Sequence, residues 1–164
     1  MKKFSVEIKW AIIFTIVSLL WFFVEKMTGL HDLHINKQPP YSLFFVIPAL
    51  IIYILALKEK KEKIFNGQMT WTQGFISGTF LALFITILNP LVQYLSYEVI
   101  SPNFFRLSIS YKIAHKVAVE NAESYYNLKN SIYRGIMDCM SYGIITSAIV
   151  ALFVKTKEAP SNEK

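Results

Sequence analysis

Four long apolar runs, each bounded by clusters of charge, constrain this chain more than any other feature. They fall at Trp10–Val24, Tyr41–Leu57, Phe75–Val99 and Ile136–Val154. A soluble domain spreads its apolar residues at the helix or strand period, whereas here they are bunched. A bilayer core is crossed by roughly 20 apolar helical residues, with a lower limit of about 17. The last three runs reach that length. The first reaches it if its helix continues through Glu25 towards Gly29, with the stems of Lys9 and Lys26 lying along the apolar layer. The spans are then 10–28, 41–58, 74–99 and 134–154. Lys2 and Lys3 precede the first span as in a signal peptide. No small-x-small cleavage site follows, however, and Glu25-Lys26 stands where one belongs, so the segment reads as a retained helix.

Composition narrows the class further. Of the 164 residues, 54% are hydrophobic, and the mean hydropathy is +0.39. The net charge of +6 does not point to nucleic acid, because the lysines flank apolar runs in the manner of membrane proteins. The single cysteine, Cys139, excludes an intramolecular disulfide framework. Orientation follows from where the positive charge is densest. "KEKKEK" places Lys58, Lys60, Lys61 and Lys63 directly after the second span, whereas Arg106, Lys112, Lys116, Lys129 and Arg134 are spread along the third loop. That asymmetry predicts cytoplasmic N- and C-termini in a bacterial plasma (inner) membrane. Trp10, Tyr41, Trp71 and Tyr97 stand near span ends, as interfacial aromatics do.

The expected fold is all-α: one four-span bundle over residues 1–155, with a helical outer loop at 101–133 and a disordered cytoplasmic tail at 156–164. In the loop, Ser101 is the expected N-cap and Pro102 the first helical residue. Phe105, Ile109, Ile113 and Val117 then form one apolar stripe, which suits a helix on the membrane surface or across the bundle mouth. A second loop helix is expected from about Glu120–Ser124, running into the fourth span.

Helices in lipid associate through small residues that let backbones approach. Gly74, Gly78 and Ala82 recur every four residues in the third span, and Gly143, Ser147 and Ala151 in the fourth. On antiparallel neighbours these form one seam. Asn89-Pro90 within the third span predicts a kink, since proline removes the donor that Thr86 would accept from and clashes with the preceding turn. Pro48 reads the same way in the second span.

Chemistry gathers at the outer face. Glu25 and Glu98 end the first and third spans there, and Asp138 begins the fourth. His31, Asp32 and His34 occupy the first outer loop. Carboxylates at the edge of a span face a cavity or a partner. These six residues therefore form the candidate polar site, with Arg134 the expected partner of Asp138 and Lys26 that of Glu25. The His31–His34 spacing lacks the further ligands of an established metal motif, so no metal and no cofactor is expected. Phosphate-loop, nucleophile-elbow and His-Glu-x-x-His patterns are absent. No enzymatic activity is expected.

Three stretches carry a resemblance: "EKMTGLHD" leaving the first span, "YNLKNSIY" approaching the fourth, and "GIITSAIVALFVK" within it. With them the chain resembles, over nearly its whole length, the domain of unknown function 4199 family of small bacterial four-helix membrane proteins. The resemblance implies the four-span fold and makes Glu25, Gly29, His31 and Gly143 family-like residues. It implies no activity. Two functions follow as expectations. One is a non-enzymatic accessory or scaffold protein for a membrane enzyme or lipid-linked process, whose partners are the bilayer and a membrane protein or a second copy. The other is a small proton or cation transporter or sensor, which requires Glu25, Glu98 and Asp138 to converge.

Overall fold

The computed structural model describes residues 4–156. Among them every regular element is helical. Helix α1 is Ser5–Met27, α2 is Gln38–Phe65, α3 is Trp71–Ile100, α4 is Phe104–Ala114, α5 is Val119–Tyr125 and α6 is Leu128–Val154. Four of these, α1, α2, α3 and α6, are long and apolar enough to cross a membrane. The helices α4 and α5 lie at the distal end of the bundle, where α1 and α3 finish. The α2–α3 turn and the end of α6 define the proximal end.

Central to the bundle is the antiparallel pair α3 and α6, which meet along the predicted small-residue seam. Gly78 lies so close to Ser147 that an added Cβ would sit 2.5 Å from its Oγ, and a Cβ on Gly143 would sit 2.5 Å from that of Ala82. Gly74 faces Ala151 at 3.1 Å in the same sense. The seam extends one step further than the sequence pattern suggested, with Gly135 set against the Asn89 amide. Around this spine α1 and α2 contribute Ala11, Tyr53, Ala56 and Leu57 to a core shared with Leu81, Ile85, Val150 and Val154. Large apolar side chains such as Ile16, Leu20, Ile87 and Phe153 point outward, more than half exposed. That is the arrangement expected of a bundle whose solvent is hydrocarbon.

Local signals explain the boundaries. Gly29, at φ +76°, ends α1 in the left-handed conformation that glycine adopts without strain. Leu30 N–H then returns to the Glu25 carbonyl at 3.0 Å. Pro39 and Pro40 open α2, whose path passes through a 3₁₀ turn at Leu43–Phe45 just before Pro48. The helix continues through "KEKKEK" to Phe65, seven residues past the expected end, and stops at Asn66 (φ 49°) and Gly67 (φ 82°). Thr70 starts α3 with a complete capping box involving Gln73.

Pro90 sits inside a helix that remains continuous and passes into a wider π turn at Leu95–Ile100. Asn89 does not return to the freed carbonyl of Thr86. Its amide reaches Cys139 Sγ at 3.5 Å, across the seam. In the distal loop the expected cap moves: α4 begins at Phe104, because Ser101 accepts the Phe104 N–H through its backbone and turns its hydroxyl elsewhere. The buried positions of α4 are accordingly Phe104 and Ser108. Phe105 and Ile109 are half-buried, and Ile113 and Val117 are exposed. Helix α5 ends at Tyr125 rather than running on, and Asn127 caps α6 by accepting the Asn130 N–H at 2.8 Å. Of the expected tail, Thr156 pairs with Met69 in the α2–α3 turn (2.8 and 2.9 Å), and residues 157–164 lie outside the described part.

Candidate functional site at the distal end

Glu25 is the centre of the site, 4% exposed at the end of α1. Burying a carboxylate demands that its lone pairs be satisfied. Trp21 Nε1, one turn back on α1, donates to Oε1 at 2.8 Å, and the Ser42 hydroxyl at the start of α2 donates to the same oxygen at 2.7 Å. Oε2 meets His31 Nε2 at 3.2 Å. The other ring nitrogen of His31, Nδ1, lies 2.8 Å from Ser101 Oγ. Gln38 Nε2 completes the chain by donating to Ser42 Oγ at 2.7 Å.

With a neutral His31, one tautomer satisfies the whole array: Nε2–H donates to Glu25 and Nδ1 accepts from Ser101. Phe22 and Phe104 flank the imidazole, with ring centroids 4.3 and 5.1 Å away. Lys26, the expected partner of Glu25, reaches instead to the Ile100 carbonyl at the end of α3. The glutamate thus draws its partners from α1, the α1–α2 loop and α2. Through His31, it is linked to the α3–α4 junction.

Serine, histidine and glutamate in this order could act as nucleophile, base and orienting acid. Ser101 is only 5% exposed, and its histidine neighbour is walled in by Phe22 and Phe104. In this conformation the hydroxyl is closed off from solvent, and the array ties helix ends together.

The remaining candidates do not join it. Asp32 is exposed and accepts the Leu33 N–H at 2.5 Å, which fixes a turn. His34, Glu98 and Asp138 are exposed. The expected Arg134–Asp138 pair is also absent among the described residues. The Arg134 guanidinium stacks on the Tyr125 ring at 3.8 Å and donates to the Tyr125 carbonyl and Ser131 Oγ at 3.4 Å. A turn earlier in the chain than Asp138, Arg134 finds an aromatic face and a carbonyl within reach and is drawn to them. Among the described residues, no three His, Cys, Asp or Glu side chains come together in a metal-holding group.

Two hollows lie near this end. One, of about 190 Å³, lies between α1 and the start of α2, with Trp21, Val24, Tyr41 and Phe44 in its walls beside Glu25. The other, of about 300 Å³, is open and lies between α4 and α5, lined by Lys112, Val117, Asn121, Tyr125 and Tyr126. Burial, followed by the neighbouring Tyr125, raises the Tyr126 phenol above its ordinary pKa.

Sequence reasoning missed Ser101, Ser42 and Trp21 as members of the network. Trp21, at i−4 from Glu25, was the one with a readable signal. It also missed a second staple at the proximal end. There Lys60 meets Glu7 at 2.7 Å with both side chains about 95% buried, and Glu59 gathers Lys9, Lys63 and Trp10 Nε1 at 2.6, 2.9 and 2.7 Å.

An all-helical chain with four helices long enough to cross a bilayer, a small-residue spine and polar staples at both ends is a small membrane-bundle protein. Residues 9–156 match the family model described as "Protein of unknown function (DUF4199)", and the chain belongs to that family. Comparisons with curated proteins and with solved structures found no match.

Proposed function

We propose that the chain is a non-enzymatic accessory or scaffold protein of the bacterial inner membrane, with its distal end outside and both termini in the cytoplasm. The density of lysine at Lys58–Lys63 beside the proximal staple supports that orientation. One observation carries the functional reading. The buried Glu25 and His31 side chains, and likewise Glu7 and Lys60, are paired with one another across helix ends, and Glu98 and Asp138 stay exposed outside the Glu25 network. A proton or cation path requires carboxylates that converge and exchange with water, whereas a scaffold requires rigid ends.

The purified chain reconstituted in vesicles is expected to pass no more protons or monovalent cations than empty vesicles. Gentle extraction from its own membranes, followed by native mass spectrometry, is expected to give a heavier species that contains another membrane protein. Ion flux abolished by Glu25→Gln would overturn the scaffold reading in favour of transport.

A further inference from the structure

Asp138 is the one carboxylate of α6, and its position is anomalous. Counting roughly 20 residues of bilayer core back from Val154 reaches Gly135, so Asp138 lies about one turn within the apolar layer. It does not face the bundle. The seam side of α6 is marked by Gly135, Gly143, Ser147 and Ala151, all buried, whereas Asp138 repeats at seven-residue spacing with the exposed Ile145 and Leu152. Among the described residues it makes no hydrogen bond or ion pair. Arg134, the nearby cation on the same helix, is turned to Tyr125.

A carboxylate on a single methylene is too short to reach the headgroups by snorkelling, as lysine or arginine does. Ionisable groups at this depth are expensive against acyl chains and ordinarily face a protein partner or a water-filled space.

We infer that the α6 face formed by Asp138, Tyr142, Ile145 and Leu152 docks a transmembrane helix of a different protein, one that carries a lysine or arginine at the depth of Asp138. The inference rests on the accessory reading above and names the chemistry of the partner. Charge complementarity fixes the cation. It also argues against a second copy of this chain, because a two-fold axis along the membrane normal through this face would bring carboxylate to carboxylate at the same depth. Ile145 and Leu152, one and two heptads further along, present the apolar ridge against which the partner helix packs.

The test uses the full chain in its own cell membranes, with a photoreactive benzophenone side chain at Ile145 or, on the outward face of α1, at Leu20. The expected result is an Ile145 adduct with a transmembrane segment of another protein that holds Lys or Arg level with Asp138. Asp138→Asn and Asp138→Leu should each lower its yield about tenfold, the equivalent of about 1.4 kcal/mol. Asp138→Glu should retain it. All three variants should melt as the parent does, since Asp138 has no intrachain bond, and a fall in melting temperature would overturn the inference. So would an Ile145 adduct with a second copy, with lipid alone, or with a protein regardless of residue 138. A protein adduct from Leu20 alone would refute this surface and leave the accessory reading standing. Absence of any protein adduct from both probes would refute both.

Discussion

Replacing Glu25 by alanine removes the acceptor at the centre of the distal staple, and the structure sets the scale of the effect. Three donors lose their partner: Trp21 Nε1 and the Ser42 hydroxyl, both half-buried, and the fully buried His31 Nε2. A buried donor left unsatisfied costs about 1–3 kcal/mol, and breaking a buried charge-assisted pair from one side about 3–5 kcal/mol. Rotation of Ser42 towards Gln38 relieves part of this. The expected loss for Glu25→Ala is therefore about 3–5 kcal/mol, or a fall of on the order of 10 °C in melting temperature.

Glu25→Gln separates hydrogen bonding from charge. The glutamine carbonyl still accepts from Trp21 and Ser42, and its NH₂ donates to His31 Nε2. The ring then switches tautomer, and Nδ1–H donates to Ser101 Oγ. The expected loss is about 1–2 kcal/mol, for the weaker neutral hydrogen bonds. Thermal unfolding in detergent, followed by size-exclusion fluorescence, reads both variants. Trp21 emission reports locally, because its indole N–H changes acceptor. Equal losses for Ala and Gln would show that charge rather than hydrogen-bond satisfaction holds the site. No loss for Glu25→Ala would refute the staple altogether.

Three further perturbations address the rest of the bundle. Gly78→Ala places a methyl 2.5 Å from Ser147 Oγ and should destabilise by about 1–3 kcal/mol, while Gly78→Ala with Ser147→Gly should recover most of it in the same melting assay. Lys60→Met strands the buried Glu7 carboxylate and should cost about 3–5 kcal/mol, whereas Lys60→Met with Glu7→Leu should come close to the parent; a double-mutant cycle of melting temperatures measures the coupling. Gly29→Ala forces a side chain into φ +76° and should cost about 1–2 kcal/mol, a strain that circular-dichroism melts would register.

What the sequence made legible is what periodicity and composition encode. The four spans and the seam from Gly74 to Ala82 against Gly143 to Ala151 were visible because they follow from apolar length and from small residues at the helical period. The site was legible by half. Glu25 and His31 were named, since an acid at the end of an apolar run and a histidine six residues on stand out. Ser101 was read as a helix cap, because Ser-Pro at a helix start is a strong local signal. Its hydroxyl is taken by a histidine seventy residues earlier, and local propensity carries no information about that contact. The same reason hides the Glu7–Lys60 pair. Lys60 looks like one of four solvated lysines, and only the length of α2, carried past the expected membrane boundary, folds it back against α1.

These contacts share a logic that bears on what the protein is built to do. In hydrocarbon the middle of the bundle gains little from apolar burial between helices, so it depends on close approach, and the seam of α3 and α6 supplies that. The ends lie where dielectric and water content change, and there charge-assisted hydrogen bonds hold what small residues cannot. Glu25 with His31 fixes the distal ends of α1, α2 and α3. Glu7 with Lys60, and Glu59 with Lys9, fix the proximal ends of α1 and α2. Among the described residues the two buried acids, Glu7 and Glu25, are each tied to a partner on another segment, Glu7 through one of its two oxygens. Asp138, about one turn within the apolar layer of α6 and away from both staples, makes no hydrogen bond or ion pair among the described residues. On the reading proposed above, that carboxylate is where a membrane helix carrying a lysine or arginine packs against the bundle.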